Sequence, residues 1–364
     1  MNIAHIVDVN HLGNGITAVV HELSHAQKAM GNNVLVLNIH EKAEDIEGFV
    51  RCTDSDRFPA YIEEFKPDIV VFHGVFYVKI KSMAKEIVRR GIPYLVELHG
   101  AYSRENYKKN KLKKWLFRHV FFDYVLNRSQ GLIFLNDSER NNFAINTGSM
   151  PTYILPNGCR ENNDSRLGEL DDSGVINFLY LSRIDLNHKG LDILVDAIKL
   201  LVSRGALDKV KFSFYGPGHD DDVKQFKASI TGLDSYVKFH GPVYKDQKAK
   251  VLGQSDIFIL TSRYEGFPMS ILEALSYGCP CLVSKGTNVA DIIIGHDAGW
   301  VVKDLCVQNV ADTIIRSVAD YRSRAETLRA NAMTASREYN WDRIASKSIE
   351  IYNIILKNYN YAKA

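Results

Sequence analysis

The sequence contains no apolar run approaching the roughly 20 residues that a helix needs to cross a bilayer, which excludes a helical membrane protein. It also carries little net charge: 45 Lys and Arg stand against 43 Asp and Glu, a formal +2. The broad basic field of a nucleic-acid binder is therefore missing, and no nucleic-acid partner is expected. Cysteine is scarce, with five residues at 52, 159, 279, 281 and 306. Cys279 and Cys281 form a C-P-C within an apolar run, with no second Cys/His pair at zinc spacing. They read as buried reduced thiols and not as a metal site. The first residues, MNIAHIVDVNHLGNG, lack a basic segment followed by a long apolar stretch, so they read as a first β-strand and not as a secretory leader. A cytoplasmic chain is expected, at most peripheral at the inner face of the cell membrane.

What is present is ordinary for a folded globular protein. Hydrophobic residues make up 46% and charged residues 24%, which excludes disorder as the reading, and 364 residues predict two domains. Short apolar runs alternate with amphipathic stretches. Strands are expected at 3–9, 34–39, 69–72, 94–98, 131–135 and 152–155, with helices such as 16–30 and 78–90 between them. The polar stretch 157–174 reads as a linker. The alternation then restarts, with strands near 176–181, 210–215, 237–239, 257–260, 280–283 and 299–302, and a last stretch from about 307 to 359 that is helical throughout. Buried strands alternating with helices imply parallel sheets covered on both faces. The fold class is α/β, with two doubly wound Rossmann-like domains: an N-terminal one at 1–158 and a C-terminal one at 159–341.

In such sheets ligands bind beyond the carboxyl ends of the strands. The residues just after the strand 257–260 are Thr261-Ser262-Arg263-Tyr264-Glu265-Gly266-Phe267-Pro268-Met269-Ser270-Ile271-Leu272-Glu273-Ala274. Pro268 suits a first helical turn. A helix starting there would aim backbone N–H groups and the positive end of its dipole at a phosphate. Glu265 would sit in the loop and Glu273 inside the helix, reaching different parts of one elongated ligand. Taken singly, each glutamate reads as a solvated surface residue.

The whole string resembles the signature of the family-4 retaining glycosyltransferases, in which two glutamates are separated by seven residues within E-G-F-x-x-x-x-L-E-A. That resemblance implies a GT-B architecture: two Rossmann-like domains facing across a cleft, with a C-terminal helix, here 342–364, crossing back to the first domain after Asn340-Trp341. It implies transfer of a hexosyl unit from a nucleoside-diphosphate sugar, UDP among the candidates, to an acceptor hydroxyl with retention. The acceptor implied is a glycan or lipid-linked species of surface-polysaccharide assembly. No metal or other cofactor is expected. By the same resemblance Arg183 and Lys189, in His188-Lys189-Gly190, hold the diphosphate as it gains charge on leaving. Glu265 meets the sugar hydroxyls and Glu273 the ribose. Gly266, Phe267 and Met269 belong to the donor-binding string, while Gly216 and Val243 line the base and ribose pocket. His99, at the end of the strand 94–98, lies beside the transferred sugar. Gly13-Asn14-Gly15-Ile16-Thr17-Ala18 supplies a glycine-rich loop, with Gly13 and Gly15 placed for the donor and Gly15 making the close approach. Where the family often has an acidic residue, this chain has Arg160.

Other readings remain at this point. Gly13–Ala18 also spells the dinucleotide fingerprint of an NAD-dependent oxidoreductase. A nucleotide-sugar epimerase of the same fold and a non-catalytic sugar-nucleotide binder are further alternatives. Asp54-Ser55-Asp56 spells the D-x-D of a metal-dependent glycosyltransferase of another fold, but reads as surface, and Asp220-Asp221-Asp222 reads as a helix N-terminus. Between 104 and 122, Lys108, Lys109, Lys111, Lys113, Lys114 and Arg118 mingle with Trp115, Leu116, Phe117, Val120, Phe121 and Phe122. That composition suits the surface of an anionic leaflet. It equally suits a helix with core aromatics and solvated lysines.

Overall fold

A computed structural model describes residues 1–10, 15–54, 56–102, 111–162 and 174–363. The chain divides into two compact units, one formed by Met1–Gly158 with Trp341–Ala364 and the other by Cys159–Asn340.

The first unit is built on β1 (Asn2–Val7), β2 (Asn33–Asn38), β3 (Phe49–Arg51), β4 (Ile69–His73), β5 (Tyr94–Glu97), β6 (Leu132–Phe134) and β7 (Thr152–Ile154). They form one seven-stranded sheet in the order β3-β2-β1-β4-β5-β6-β7. Every pairing is parallel. Ala4, Ile6, Phe72, Tyr94 and Val96 pack with the helices Phe58–Phe65, Ile80–Arg89 and Asp123–Arg128 in one core cluster. Side chains alternate across a strand. The opposite face therefore takes His5, His73 and Glu97, and the helices Gly15–Ala29 and Trp341–Lys363 lie there, as the bond from Gln27 to Ser348 shows.

The second unit repeats the plan with β8 (Ile176–Leu181), β9 (Val210–Tyr215), β10 (Val237–Gly241), β11 (Ile257–Leu260), β12 (Cys281–Ser284) and β13 (Gly299–Val302). The order is β10-β9-β8-β11-β12-β13, parallel throughout. In both sheets the chain winds outward from a central strand, then returns to wind the other way. The reversal falls between β1 and β4 in the first unit and between β8 and β11 in the second, where an α/β sheet opens a crevice at its carboxyl edge.

β8, β9, β11 and β13 have the bounds the apolar runs predict. β3 was not anticipated: three half-buried or exposed residues at a sheet edge leave no periodic signal. The stretch expected to be helical from 307 to 359 is two helices, Val307–Arg337 and Trp341–Lys363. The first is kinked at Arg324 (φ −145°, ψ 37°), whose guanidinium is held by Asp297. Asp54 and Asp56 are exposed in the loop after β3, with the Asp56 amide donating to Asp54 Oδ1 at 2.9 Å. Asp220 opens the helix Asp220–Ser229. Cys279 and Cys281 are fully buried free thiols, and burial raises both thiol pKa values. Among the described residues no helix is long and apolar enough to cross a membrane.

Candidate active site

In the second unit the two strand ends at the reversal carry most of the residues singled out from sequence. After β8, the Tyr180 hydroxyl donates to the Arg183 carbonyl at 2.6 Å, and Asp185 Oδ1 accepts from the His188 amide at 2.8 Å. This closes the short loop that presents Arg183, His188 and Lys189. Gly190 follows with φ +65°, and a Cβ there would lie 2.1 Å from the Thr261 carbonyl oxygen. Only glycine lets the start of the helix Leu191–Ser203 approach the end of β11 so closely.

That approach brings the two loops together. Lys189 Nζ donates to Glu265 Oε1 at 2.5 Å, and the Ser262 hydroxyl donates to the same oxygen at 2.6 Å. Both charged side chains are about nine-tenths buried, at 10% and 11% exposure. His188 Nε2 donates to the Tyr264 carbonyl at 2.8 Å and stacks on the Tyr264 ring, with centroids 4.2 Å apart. Its other nitrogen, Nδ1, accepts from the half-exposed Arg183 guanidinium at 3.1 Å. Arg263 forks onto Asp192 at 2.6 and 2.8 Å, tying the β11 loop to the first turn of the helix Leu191–Ser203. The Asn288 side chain donates to the Glu265 carbonyl at 2.6 Å.

Pro268 is the N-cap of the helix Met269–Ser276, with ψ 116°, one position earlier than expected. The amides of Met269 and Ser270 thus open the helix, with no intrahelical carbonyl behind them. Phe267 is buried against Tyr339, so it holds the loop and does not face outward. Gly266 is half-buried in the loop. Glu273, one turn in, is a quarter exposed and accepts from Lys248 Nζ at 2.6 Å. At the end of β9, Gly216 donates its amide to the Gly241 carbonyl at 3.0 Å, and a Cβ there would lie 1.8 Å from the Ser182 carbonyl oxygen. Gly216 is therefore demanded by the packing of β9 against β8, whatever else it lines. Val243 is half-buried just beyond β10.

In the first unit, Gly13 lies outside the described residues. Gly15 opens the helix Gly15–Ala29, and a Cβ there would meet no atom within 4 Å, so no contact within the chain requires glycine at that position. His99 follows β5 in the left-handed region (φ +49°), a conformation rare for residues with side chains. Gly100 next to it donates to Glu139 Oε1 at 2.5 Å, and the Leu135 amide donates to Oε2 at 2.6 Å, anchoring the loop. The His99 ring stands at the strand end as the sequence places it, with only 5% of the side chain exposed. It packs on His73, with Nε2 3.0 Å from His73 Nδ1, while Glu97 lies 3.3 Å from His73 and 3.6 Å from His99. Burial lowers the pKa of His5 to about 4, of His99 to about 3, and of His73 well below its usual value. Burial, and then the Glu139 carboxyl, raises Glu97 to about 8. His73, Glu97 and His99 hold ligand atoms within 4.8 Å of one another, the one group of three among the described residues with spacing for a metal ion.

These shifts make a pH prediction. The folded state refuses protons on three imidazoles that the unfolded chain accepts near pH 6.5. Their stability is present in full above 6.5 and is lost as pH falls toward 3–4. Glu97 acts oppositely, stabilising below about 4.5 and losing that contribution as pH rises toward 8. Near pH 5.5 unfolding should therefore take up about two protons at this cluster: three gained by imidazoles and one released by Glu97. Urea unfolding should show stability falling from pH 6.5 to 5; a rise over that interval would contradict the assignment.

Sequence reasoning missed Lys248, Ser262, Asn288 and the cluster around His73. Lys248 sits on the helix Lys245–Gly253 with no local motif to mark it. His5, His73 and Glu97 had a signal: His5 interrupts the apolar run Ile3–Val7, and His73 and Glu97 close apolar strands, where a buried titratable group must find a partner.

Residues 13–162 match the sequence model described as glycosyltransferase family 4, and residues 176–320 match that of glycosyl transferases group 1. The chain belongs to the family-4, group 1 glycosyltransferases, and its two parallel-sheet units have the GT-B fold. Among solved structures, the Anabaena protein HepE in complex with UDP is similar at TM-score 0.74 and 19% identity, over 97% of this chain and 100% of that one. HepE has also been solved with UDP-glucose. A glycosyltransferase of Rickettsia africae is similar at TM-score 0.73 and 16% identity, over 98% of each chain. At these identities the likeness speaks for the fold. Among curated proteins, a glycogen synthase of Francisella tularensis is 24% identical over 210 residues, 55% of this chain and 42% of its own. The chain thus spans under half the length of that relative.

Proposed function

We propose that the protein transfers a hexosyl unit from a nucleoside-diphosphate sugar to an acceptor hydroxyl, with retention at the anomeric carbon. The observation that carries this is the meeting of Lys189 and Glu265 across two strand ends, with Arg183 on the same loop and the helix opening at Met269 beside it. Two cations on one loop and helix amides opening four residues after Glu265 are the groups a pyrophosphate would need, which supports this reading. The bond from the anomeric carbon to the β-phosphate oxygen breaks, the bond to the acceptor oxygen forms on the same face, and the acceptor proton passes to a phosphate oxygen. Arg183, Lys189 and the helix amides take up the charge of the departing diphosphate. Glu265 is assigned to the sugar hydroxyls, Glu273 to the ribose, and His99 to the sugar near the reacting carbon. Binding of UDP and UDP-glucose by HepE supports UDP as the nucleotide.

Catalysis through charged side chains and amides needs no divalent ion. Incubation of the protein with UDP-hexoses and glycan or lipid-linked acceptors should release UDP and yield an α-linked product in the presence of EDTA. Loss of product with EDTA, restored by manganese, would overturn the metal-free reading. Consumption of donor without an acceptor would favour an epimerase or hydrolase.

A second proposal concerns the acceptor. The helix Lys111–Phe117 and the π-helical turn Arg118–Phe122 leave Leu112 (77% exposed), Leu116 (56%), Trp115 and Val120 in solvent beside Lys113, while Phe122 is fully buried. The aromatics are thus divided between core and surface; residues 104–110 lie outside the described residues. We assign this face to an anionic lipid surface, where a lipid-linked acceptor would be met. The protein should sediment with phosphatidylglycerol vesicles and not with phosphatidylcholine alone; equal behaviour with both would dismiss it.

A further inference from the structure

The His99 ring ends a chain of buried polar groups that runs across the first unit. His5 on β1, His73 at the end of β4 and Glu97 at the end of β5 share the sheet face opposite the main core. Parallel register sets His73 beside Glu97 and His5 beside Val71, two residues short of His73. His73 Nδ1 lies 3.0 Å from His99 Nε2, and His73 Nε2 lies 2.7 Å from His5 Nδ1. His5 Nε2 lies 2.8 Å from Gln27 Oε1, and Gln27 Nε2 lies 2.9 Å from the Ser348 hydroxyl on the helix Trp341–Lys363.

The direction of every bond in this chain follows from one proton. The Ser348 hydroxyl has a single hydrogen, and it is given to the Ala345 carbonyl one turn back, at 2.7 Å. Ser348 must therefore accept from the Gln27 amide nitrogen, which turns Gln27 Oε1 toward His5. An amide oxygen only accepts, so His5 carries its proton on Nε2 and leaves Nδ1 bare. His73 must then donate from Nε2 and accept at Nδ1, and His99 must donate from Nε2. Each imidazole is neutral, because burial disfavours its charged form, and a neutral imidazole has one donor and one acceptor. Burial pushes Glu97, beside both His73 and His99, toward its uncharged form, which weakens its pull on their protons. The other titratable neighbours are Lys28 near His5, Glu139 behind the His99–Gly100 turn, and Tyr352, one turn after Ser348, whose buried hydroxyl lies against Gln27 and Ser348 without a hydrogen bond of good geometry. His99 Nδ1 has no hydrogen-bond partner among the described residues.

We propose that the relay Ser348–Gln27–His5–His73 locks His99 as its Nε2–H tautomer and so presents Nδ1 as a fixed acceptor for a substrate hydroxyl. Gln27, His5 and His73 are positioning residues: they touch no substrate and act through His99. The relay ties the C-terminal helix to a residue more than 200 positions earlier, so the tautomer is set only when that helix is docked. The consequence for catalysis rests on the assignment of His99 to the sugar; the tautomer itself does not.

Two-bond nitrogen–proton correlation spectra of the full-length, histidine-labelled protein near pH 7.5 read the tautomer directly. His5, His73 and His99 should all appear protonated at Nε2. Gln27→Met keeps the side-chain length and removes both the amide oxygen and the amide nitrogen. It should convert His99 to a mixture of tautomers and lower kcat about tenfold at an unchanged donor KM, and Gln27→Glu, which keeps an oxygen for His5, should recover most of that loss. UDP affinity and thermal unfolding serve as the check on folding. Protonation of His99 at Nδ1 in the wild type would overturn the relay, and so would a Gln27→Met variant with wild-type tautomer and turnover. If Gln27→Met fails to fold, the wild-type spectrum alone decides. Full activity of His99→Ala would sink the assignment of His99 to the sugar while leaving an Nε2–H relay standing.

Discussion

Lys189→Ala should lower kcat by roughly 10²–10³-fold, or about 3–4 kcal/mol of transition-state stabilisation, with much less change in donor KM. The reasoning starts from burial. Lys189 is 8% exposed, and its ammonium is compensated by Glu265 Oε1 at 2.5 Å. A cation desolvated to that extent interacts far more strongly with a nearby charge than it would in water. The diphosphate of an intact donor already carries charge, but it gains more as the glycosidic bond breaks, so the effect falls on turnover. Removing the cation also leaves Glu265 with only the Ser262 hydroxyl on that oxygen, and some loss of stability is expected. Steady-state kinetics alongside a urea melt separate the two effects. Turnover within threefold of wild type in a folded variant would show that Lys189 does not face the leaving group.

Glu273→Ala should raise donor KM by about 10- to 100-fold while kcat changes little, since hydrogen bonds to a charged group contribute about 1.5–3 kcal/mol. Ribose hydroxyls do not change charge during the reaction, so their carboxylate partner stabilises ground and transition states alike. Glu273 is paired with Lys248, and both side chains are a quarter to a third exposed. That pair is a weak one in solvent, so under the proposed reading a ribose would displace it at small cost, and its loss should leave the melting temperature nearly unchanged. A fall in kcat equal to the fall in kcat/KM would place Glu273 at the reacting centre instead.

The strands were legible wherever burial on both faces left an unbroken apolar run. Ile257–Leu260 and Ile176–Leu181 can be bounded to the residue because the polar residue after each begins a loop with its own chemistry. Phe49–Arg51 could not, since three residues at an edge owe their extended form to pairing with β2 and not to any pattern of their own. The π-helical turn Arg118–Phe122 and the kink at Arg324 are likewise products of tertiary packing that local propensity does not encode. For the site, the rule that ligands lie beyond strand ends pointed to the stretch holding Glu265, and the family resemblance added Arg183 and Lys189, each separately. It could not reveal that Lys189 and Glu265, 76 residues apart, meet in one ion pair, because that depends on Gly190 admitting the Thr261 carbonyl. The histidine relay was the least legible part. Its members sit on two strands, two helices and the turn after β5, and the longest link spans 321 residues.

The central claim is that the second unit grips a pyrophosphate between Arg183, Lys189 and the opening turn of the helix Met269–Ser276. A crystal structure of the protein soaked with UDP tests it most directly. The β-phosphate should lie within hydrogen-bonding distance of the Lys189 ammonium or the Arg183 guanidinium and of the Met269 or Ser270 amide, with the ribose against Glu273. A UDP molecule bound with its phosphates away from all of these groups would contradict the account.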